Sequence, residues 1–252
     1  MWRPHGIFYL MAYKVKEIFY TVQGEGSQSG SPSVFLRLSA CNLWAGTEET
    51  RSKGKSECAM WCDTDFVGGD KLNVPQIMCR ISTLWNDGEV ESSSAPNEWV
   101  ETPSMPFRSI QPLVIITGGE PALQLKRDPS LIESMLDVGW RVSIETNGTI
   151  ECEAVDKLIV SKNGHVTVSP KRLLKPGLDH ITLRRGTDLK VIVPQFMDDE
   201  IDQMKSWDFD NFFIQPLDSG DNGLLAITES IREAHRLGWR ISIQTHKTMG
   251  LP

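Results

Sequence analysis

Two short runs, Cys41-Asn42-Leu43-Trp44 and Cys58-Ala59-Met60-Trp61-Cys62-Asp63-Thr64-Asp65-Phe66, decide how this chain is read. They hold three of its five cysteines, spaced C-x16-C-x3-C, in one stretch with a long polar run between. Thiolate is the soft ligand that zinc and iron–sulfur centres select. A structural zinc needs a fourth ligand. No histidine lies between His5 and His165, and the next cysteine, Cys79, falls in a helix-like run. Three ligands with the fourth missing fit a [4Fe–4S] cluster that leaves one iron open to a substrate or cofactor. On spacing alone, zinc and a disulfide with a spare thiol stay open as alternatives.

Further along, Thr117-Gly118-Gly119-Glu120-Pro121 follows the apolar run Leu113-Val114-Ile115-Ile116. Three cysteines with a later Gly-Gly-Glu resemble the radical S-adenosylmethionine (SAM) superfamily. Within it the chain resembles the 7-carboxy-7-deazaguanine synthase (QueE) family. The shared text begins with Lys16-Glu17-Ile18-Phe19-Tyr20-Thr21-Val22-Gln23-Gly24-Glu25-Gly26 and includes both cysteine runs and the Gly-Gly-Glu. It continues in Glu145-Thr146-Asn147-Gly148-Thr149, Ser169-Pro170-Lys171 and Gln244-Thr245-His246-Lys247. The likeness runs from about Met11 to Pro252, excepting one insertion. Most radical SAM proteins have a compact C-x3-C-x2-C loop, whereas one branch of this family has a long first gap. Here the first gap is sixteen residues and the second is three, which alters the turn over Ala59, Met60 and Trp61.

The resemblance implies a radical SAM lyase that converts 6-carboxy-5,6,7,8-tetrahydropterin to 7-carboxy-7-deazaguanine with loss of ammonia, on the route to queuosine and related 7-deazapurines. It implies Cys41, Cys58 and Cys62 as ligands of a [4Fe–4S] cluster whose open iron chelates SAM. Trp61, Cys62, Asp63, Gly119, Glu120, Ser169, Pro170, Lys171, Gln215, Pro216, Leu217 and Asp218 would contact SAM. Gly118 and Gly119, without side chains, let backbone approach the methionine end, and Glu120 can accept from an ammonium group. Val22, Gln23, Gly24, Glu25, Arg37, Thr117, His246 and Pro252 would contact the pterin. Gln and Glu match a pterin's donor and acceptor edge, and Arg37 would meet the substrate carboxylate. In the family a terminal carboxylate on a closing proline also reaches the substrate. Thr64, flanked by Asp63 and Asp65, would help hold Mg²⁺, a hard ion suited to a hydroxyl, substrate oxygens and retained waters. A homodimer and an electron donor such as a flavodoxin or ferredoxin are implied as partners. The rival readings are another radical SAM enzyme, such as a glycyl-radical activase, and a non-catalytic zinc-binding module. The substrate-side motifs argue against the activase.

Length and composition set the frame. At 252 residues one domain is expected, since α/β barrels run to this size undivided. Hydrophobic residues make up 40% and charged residues 23%, the balance of a globular chain. A net charge of −7 argues against a nucleic-acid surface. No apolar run approaches the ~18 residues of a membrane span. An odd number of cysteines gathered in one loop suits a reducing compartment, hence the cytoplasm. Residues 1–10 precede the family text and read as an N-terminal extension, with residues 11–252 as one radical SAM domain.

Patterning predicts strands at Val15–Thr21, Val34–Ser39, Leu113–Ile116, Arg141–Glu145, Leu158–Val160, Val166–Val168, Leu189–Val193, Phe212–Gln215 and Arg240–Gln244. Helices are expected from Val74 to Leu84, with Met78 and Cys79 as packing residues, and over Leu123–Asp137, near Glu153, at Asp198–Met204 and at Leu224–Leu237. The run from Ala45 to Glu57 reads as exposed, and residues 86–111 as a Ser/Pro-rich loop insertion. Alternating strands and helices imply a largely parallel sheet. Six or seven barrel strands are too few to close eightfold, so a partial TIM-type barrel is expected, with chemistry at the carboxyl ends of its strands.

Overall fold

A computed structural model describes residues 11–53, 56–58, 62, 64–87, 111–218 and 223–251. Among them nine strands form one sheet: β1 (Tyr13–Val22), β2 (Pro32–Leu38), β3 (Asp70–Leu72), β4 (Leu113–Gly118), β5 (Arg141–Thr146), β6 (Gly164–Val168), β7 (Arg185–Val193), β8 (Asp208–Pro216) and β9 (Arg240–Ile241). Their order is β3-β1-β2-β4-β5-β6-β7-β8-β9. Every pairing from β2 to β9 is parallel, and β1 runs antiparallel to both β2 and β3. This is the mostly parallel, open α/β sheet of a partial barrel.

Parallel strands need crossover connections; helices supply them except between β6 and β7, where residues 169–184 form a loop. The helices are α1 (Glu48–Ser52), inside the long cysteine gap, then α2 (Val74–Asp87), α3 (Ala122–Leu125), α4 (Ser130–Asp137), α5 (Glu153–Val160), α6 (Asp198–Met204), α7 (Gly223–Leu237) and a terminal α8 (Thr245–Thr248). The strands divide by the two-residue period of the pleat. On one face Val34, Leu36, Leu38, Val114, Ile116, Val142, Ile144, Val166, Val168, Leu189, Val191 and Ile214 join one core with Ile77 and Ile81 of α2, Leu131 and Met135 of α4 and Leu158 of α5. Each such side chain contributes about 1.5–3 kcal/mol by leaving water. The alternate residues, Arg37, Thr117, Glu145, Thr167, Asp188, Lys190 and Gln215, are polar and share the other face. A sheet apolar on one face and partly charged on the other, where Phe35 and Ile115 also lie, directs its chemistry to the second.

Several elements differ from the sequence reading. Leu158–Val160 closes α5 and forms no strand: Ala154, Val155 and Leu158 are buried at helical spacing, while Val160 is 84% exposed. The helix expected over Leu123–Asp137 is two, α3 and α4, because Pro129 lies between them and has no N–H to continue the ladder. The last strand ends at Ile241, and His246 lies in α8. Cys79 is exposed on α2, whereas Met78 packs against the core. The short β3 carries too little pattern to be seen in sequence, and α1 stands in a run expected to be merely exposed. Residues 1–10, most of the 86–111 insertion, Trp61, Asp63 and Pro252 lie outside the described residues.

Candidate functional site

The polar face lines a cavity of about 1080 Å³. Its inner wall carries Arg37 of β2, Thr117 of β4, Glu145 of β5, Lys190 of β7 and Gln215 of β8. The loops that leave the carboxyl ends of the parallel strands add Cys41, Gly119, Asn147, Ser169, Lys171, Leu217 and Asp218. Carboxyl-end loops are where parallel α/β folds place their chemistry.

The turn after β1 reaches across the molecule. Val22 pairs with Pro32, so residues 23–30 sit at the start of β2, yet they touch the far edge of the sheet. The Gly26 amide donates to Ser242 Oγ at 3.0 Å, and both the Thr245 amide and its hydroxyl donate to the Gly24 carbonyl at 3.1 Å. Gly24 has no substitute here: a Cβ would fall 2.0 Å from His246 Nδ1. The turn presents Gln23 and Glu25 to the cavity. Glu25 ion-pairs with Lys190, the two side chains being 12% and 6% exposed. Its Oε1 accepts from Gln244 Nε2 at 2.7 Å and from Gln215 Nε2 at 3.1 Å. Burial alone would raise the Glu25 carboxyl. The Lys190 charge and hydrogen bond outweigh it, helped by Gln244 and His246, and hold the group well below the usual carboxylate range. Burial pulls the Lys190 ammonium down, and Glu25 and Glu145 more than compensate, so it stays charged. Gln23 Nε2 donates to Glu145 Oε1 at 3.0 Å, and Thr117 Oγ1 donates to Glu145 Oε2 at 3.2 Å.

Three cysteines outside any disulfide, Cys41, Cys58 and Cys62, line the same cavity. The chain leaves β2 through Ala40, a non-glycine residue at φ +76°, a conformation tolerated only where surroundings enforce it. The enforcement is visible. The Ala40 amide donates to Phe66 O at 3.2 Å, and Ala40 O accepts from the Glu120 amide at 2.9 Å. Cβ atoms on Gly118 and Gly119 would lie 2.0 Å from Leu38 O and 2.4 Å from Ala40 O. The glycine pair thus makes room for the strand that delivers Cys41. Cys58 bridges antiparallel to Leu173, and the Leu174 amide donates to Glu57 O at 3.0 Å, which ties the middle cysteine to the loop after Ser169-Pro170-Lys171. Trp44 packs edge-on against Phe66, centroids 5.8 Å apart, beneath this loop.

Among the described residues no three His, Cys, Asp or Glu side chains are drawn together closely enough to grip an ion. The donor set nonetheless fits a thiolate-bound cluster. None of the three is in a disulfide, all line one cavity, and burial pushes the Cys41 thiol up, so a cation beside it would favour its thiolate form. Burial and then Lys190 push the Lys171 ammonium down, and Cys62 and Cys58 pull the other way. Lys171 Nζ donates to Ser169 Oγ at 3.1 Å.

Most residues singled out from sequence meet at this cavity: Gln23, Glu25, Arg37, Cys41, Cys58, Cys62, Thr64, Thr117, Gly119, Ser169, Lys171, Gln215, Pro216, Leu217, Asp218 and His246. Val22, Gly24, Glu120 and Pro170 do not line it. Glu120 is fully buried, and its carboxylate accepts from Ala122 N at 2.9 Å, Thr146 Oγ1 at 2.7 Å and Asn147 N at 2.7 Å. These three bonds tie Glu120 to the start of α3 and to the end of β5. Asp65 accepts from Lys16 Nζ at 2.7 Å, and Asp218 from Lys247 Nζ at 2.6 Å. Glu17, Lys190, Gln195 and Gln244 line the cavity and were missed as site residues. Lys190 had a signal: a lysine inside Leu189-Lys190-Val191-Ile192-Val193 must face somewhere polar.

No protein-family model matches the chain. Among curated proteins it is 35% identical over 252 residues to the 7-carboxy-7-deazaguanine synthase of Burkholderia multivorans, covering 96% of this chain and all of that one. It is 36% identical over 246 residues to the enzyme of the same name from Caulobacter vibrioides, again over 96% of this chain and all of the relative. Among solved structures, the crystal structure of QueE from Escherichia coli superposes with a TM-score of 0.60, covering 92% of this chain and 94% of that one at 22% identity, a likeness of fold. Matched over 96% of its length to the full length of relatives at 35–36% identity, the chain belongs to the 7-carboxy-7-deazaguanine synthase family.

Proposed function

We propose that this cavity carries the family's reaction, the contraction of 6-carboxy-5,6,7,8-tetrahydropterin to 7-carboxy-7-deazaguanine with loss of ammonia, as a step toward queuosine and related 7-deazapurines. The observation that carries the assignment of roles is the ionised Glu25, held by Lys190, Gln215 and Gln244 at the cavity wall. A buried carboxylate is an acceptor for adjacent N–H groups such as the amino-pyrimidinone edge of a pterin. Gln23 supplies a donor and an acceptor next to it, and His246 borders the same space. Arg37 takes the substrate carboxylate, for which a guanidinium fork is suited. Thr117 and Glu145 face the ring between these ends.

Cys41, Cys58 and Cys62 hold a [4Fe–4S] cluster, with SAM seated by the Gly119 backbone and by Ser169, Lys171, Gln215, Pro216, Leu217 and Asp218. When bound, the cluster and SAM would supply radical, hydrogen-abstracting chemistry. The chain's own residues orient the pterin, exclude water and fix charge. Lys190 keeps Glu25 ionised, and Glu120 acts at one remove as a positioning residue, tying the Gly-Gly turn to Thr146 and Asn147. Thr64 contributes a hydroxyl to Mg²⁺ beside the substrate. A flavodoxin- or ferredoxin-like donor supplies electrons, and the protein works as a cytoplasmic homodimer. Among the described residues no helix is long and apolar enough to cross a membrane.

Anaerobic purification tests the metal half of this reading. The expected product is brown, with about four irons and four sulfides per chain. A colourless protein that retains zinc under the same conditions overturns it.

A further inference from the structure

We propose that Glu17 is a positioning residue for Arg37, brought to it by a bulge in β1. The inference rests on the reading of Arg37 as the partner of the substrate carboxylate. Along β1, Tyr13 and Val15 are buried in the helix-covered core. Strict alternation would send Glu17 to the same face. The register shifts there instead: Val15 stands opposite Leu38, but Glu17 stands opposite Arg37, so Lys16 is one residue too many. A one-residue shift exchanges the faces of everything beyond it. Ile18 and Tyr20 therefore take over the core side, while Glu17 and Phe19 line the cavity.

The consequence is a prepared guanidinium. Arg37 Nε donates to Glu17 Oε1 at 2.6 Å, and Arg37 Cζ lies 5.8 Å from the centroid of Phe19, which itself stacks on Phe35 with centroids 5.4 Å apart. Glu17 holds the Nε edge, Phe19 sits against one side, and the terminal Nη pair, for which the described residues show no hydrogen bond, can make a bidentate contact with a ligand carboxylate. Partly exposed ion pairs contribute little to stability, so a pair at 20% and 40% side-chain exposure is a weak structural reason to interrupt a strand. Bulges recur beside active sites because they re-aim side chains, and here the re-aimed residue meets an arginine in the cavity.

The test is equilibrium binding to anaerobic holoenzyme with SAM and no reductant, so that nothing turns over. Two ligands are compared: 6-carboxy-5,6,7,8-tetrahydropterin and the same tetrahydropterin without its carboxylate. Wild type prefers the acid, and Arg37→Ala abolishes the preference. Glu17→Ala is expected to reduce the preference by about tenfold, the loss of one charge-assisted contact that orients the fork, with affinity for the ligand lacking the carboxylate unchanged. Glu17→Gln, whose amide oxygen still accepts from Nε, restores part of it. The inference falls if Glu17→Ala keeps the full preference while Arg37→Ala loses it, or if Glu17→Ala weakens both ligands equally. If Arg37→Ala itself retains the preference, the reading of Arg37 falls, and the inference falls with it.

Discussion

Glu25 and Lys190 form an ion pair on the inner face of the sheet although 165 positions separate them in sequence. The pair joins the turn after β1 to the middle of β7. Breaking one side of a buried pair leaves an uncompensated charge, at a cost of about 3–5 kcal/mol.

Lys190→Met tests that coupling through pH. Because the folded Glu25 carboxyl lies below its ordinary value, its contribution to stability is full at neutral pH and is lost as pH falls toward about 2. Lys190 is raised above its ordinary value, so its contribution is full at neutral pH and is lost only as pH rises through that raised value. In Lys190→Met it falls to Gln244 and His246 to oppose burial at Glu25, so the carboxyl is held down less and the acid-side loss should shrink. Urea midpoints measured between about pH 5 and pH 3 should fall less steeply in the variant than in wild type, from a lower starting stability near pH 7. Equal slopes would remove the pair from the account.

The glycine before Glu120 makes a second expectation. A methyl at residue 119 would lie 2.8 Å from Cys41 Cβ and closer still to Ala40 O. Gly119→Ala should therefore displace the first cysteine and lower iron content per chain, while the far-UV circular dichroism stays near wild type. Glu120→Gln keeps one acceptor oxygen and turns its amide NH₂ toward one of the two backbone N–H groups that now find an acceptor, and should cost about 1–3 kcal/mol in denaturant unfolding.

How much of this was legible in sequence depends on range. Motifs that end strands, such as Gly118-Gly119-Glu120 and Ser169-Pro170-Lys171, were placed on the correct rim because strand ends and turns are local. The inward row of Thr117, Glu145 and Lys190 follows from the two-residue period, yet which face is concave is set by how nine strands pair. The partners of Glu120 were hidden for the same reason. Its three partners lie in its own turn and in the 146–147 turn, and nothing local says that both oxygens are occupied. The bulge that moves Glu17 to the cavity is one residue of slip between β1 and β2, visible only once both strands are paired.

The cysteine assignment predicts a clean division. Cys41→Ala, Cys58→Ala and Cys62→Ala should each lose the visible absorption of the cluster. Cys79→Ala, on the exposed face of α2, and Cys152→Ala, at the start of α5, should keep it. Full iron loading in Cys58→Ala would reject the assignment.

Thr64 carries the magnesium proposal. Activity should rise with added Mg²⁺ in wild type, and Thr64→Val should blunt that rise without changing SAM cleavage in the absence of substrate. An unaltered Mg²⁺ response in the variant takes Thr64 out of the site.

The central claim is the reaction itself. The reconstituted protein would be incubated anaerobically with SAM, a reductant, Mg²⁺ and 6-carboxy-5,6,7,8-tetrahydropterin, and the mixture read by mass spectrometry. The account predicts 7-carboxy-7-deazaguanine and ammonia in equal amounts, with SAM not consumed in proportion. Iron-loaded protein that cleaves SAM but leaves the pterin unchanged would contradict it.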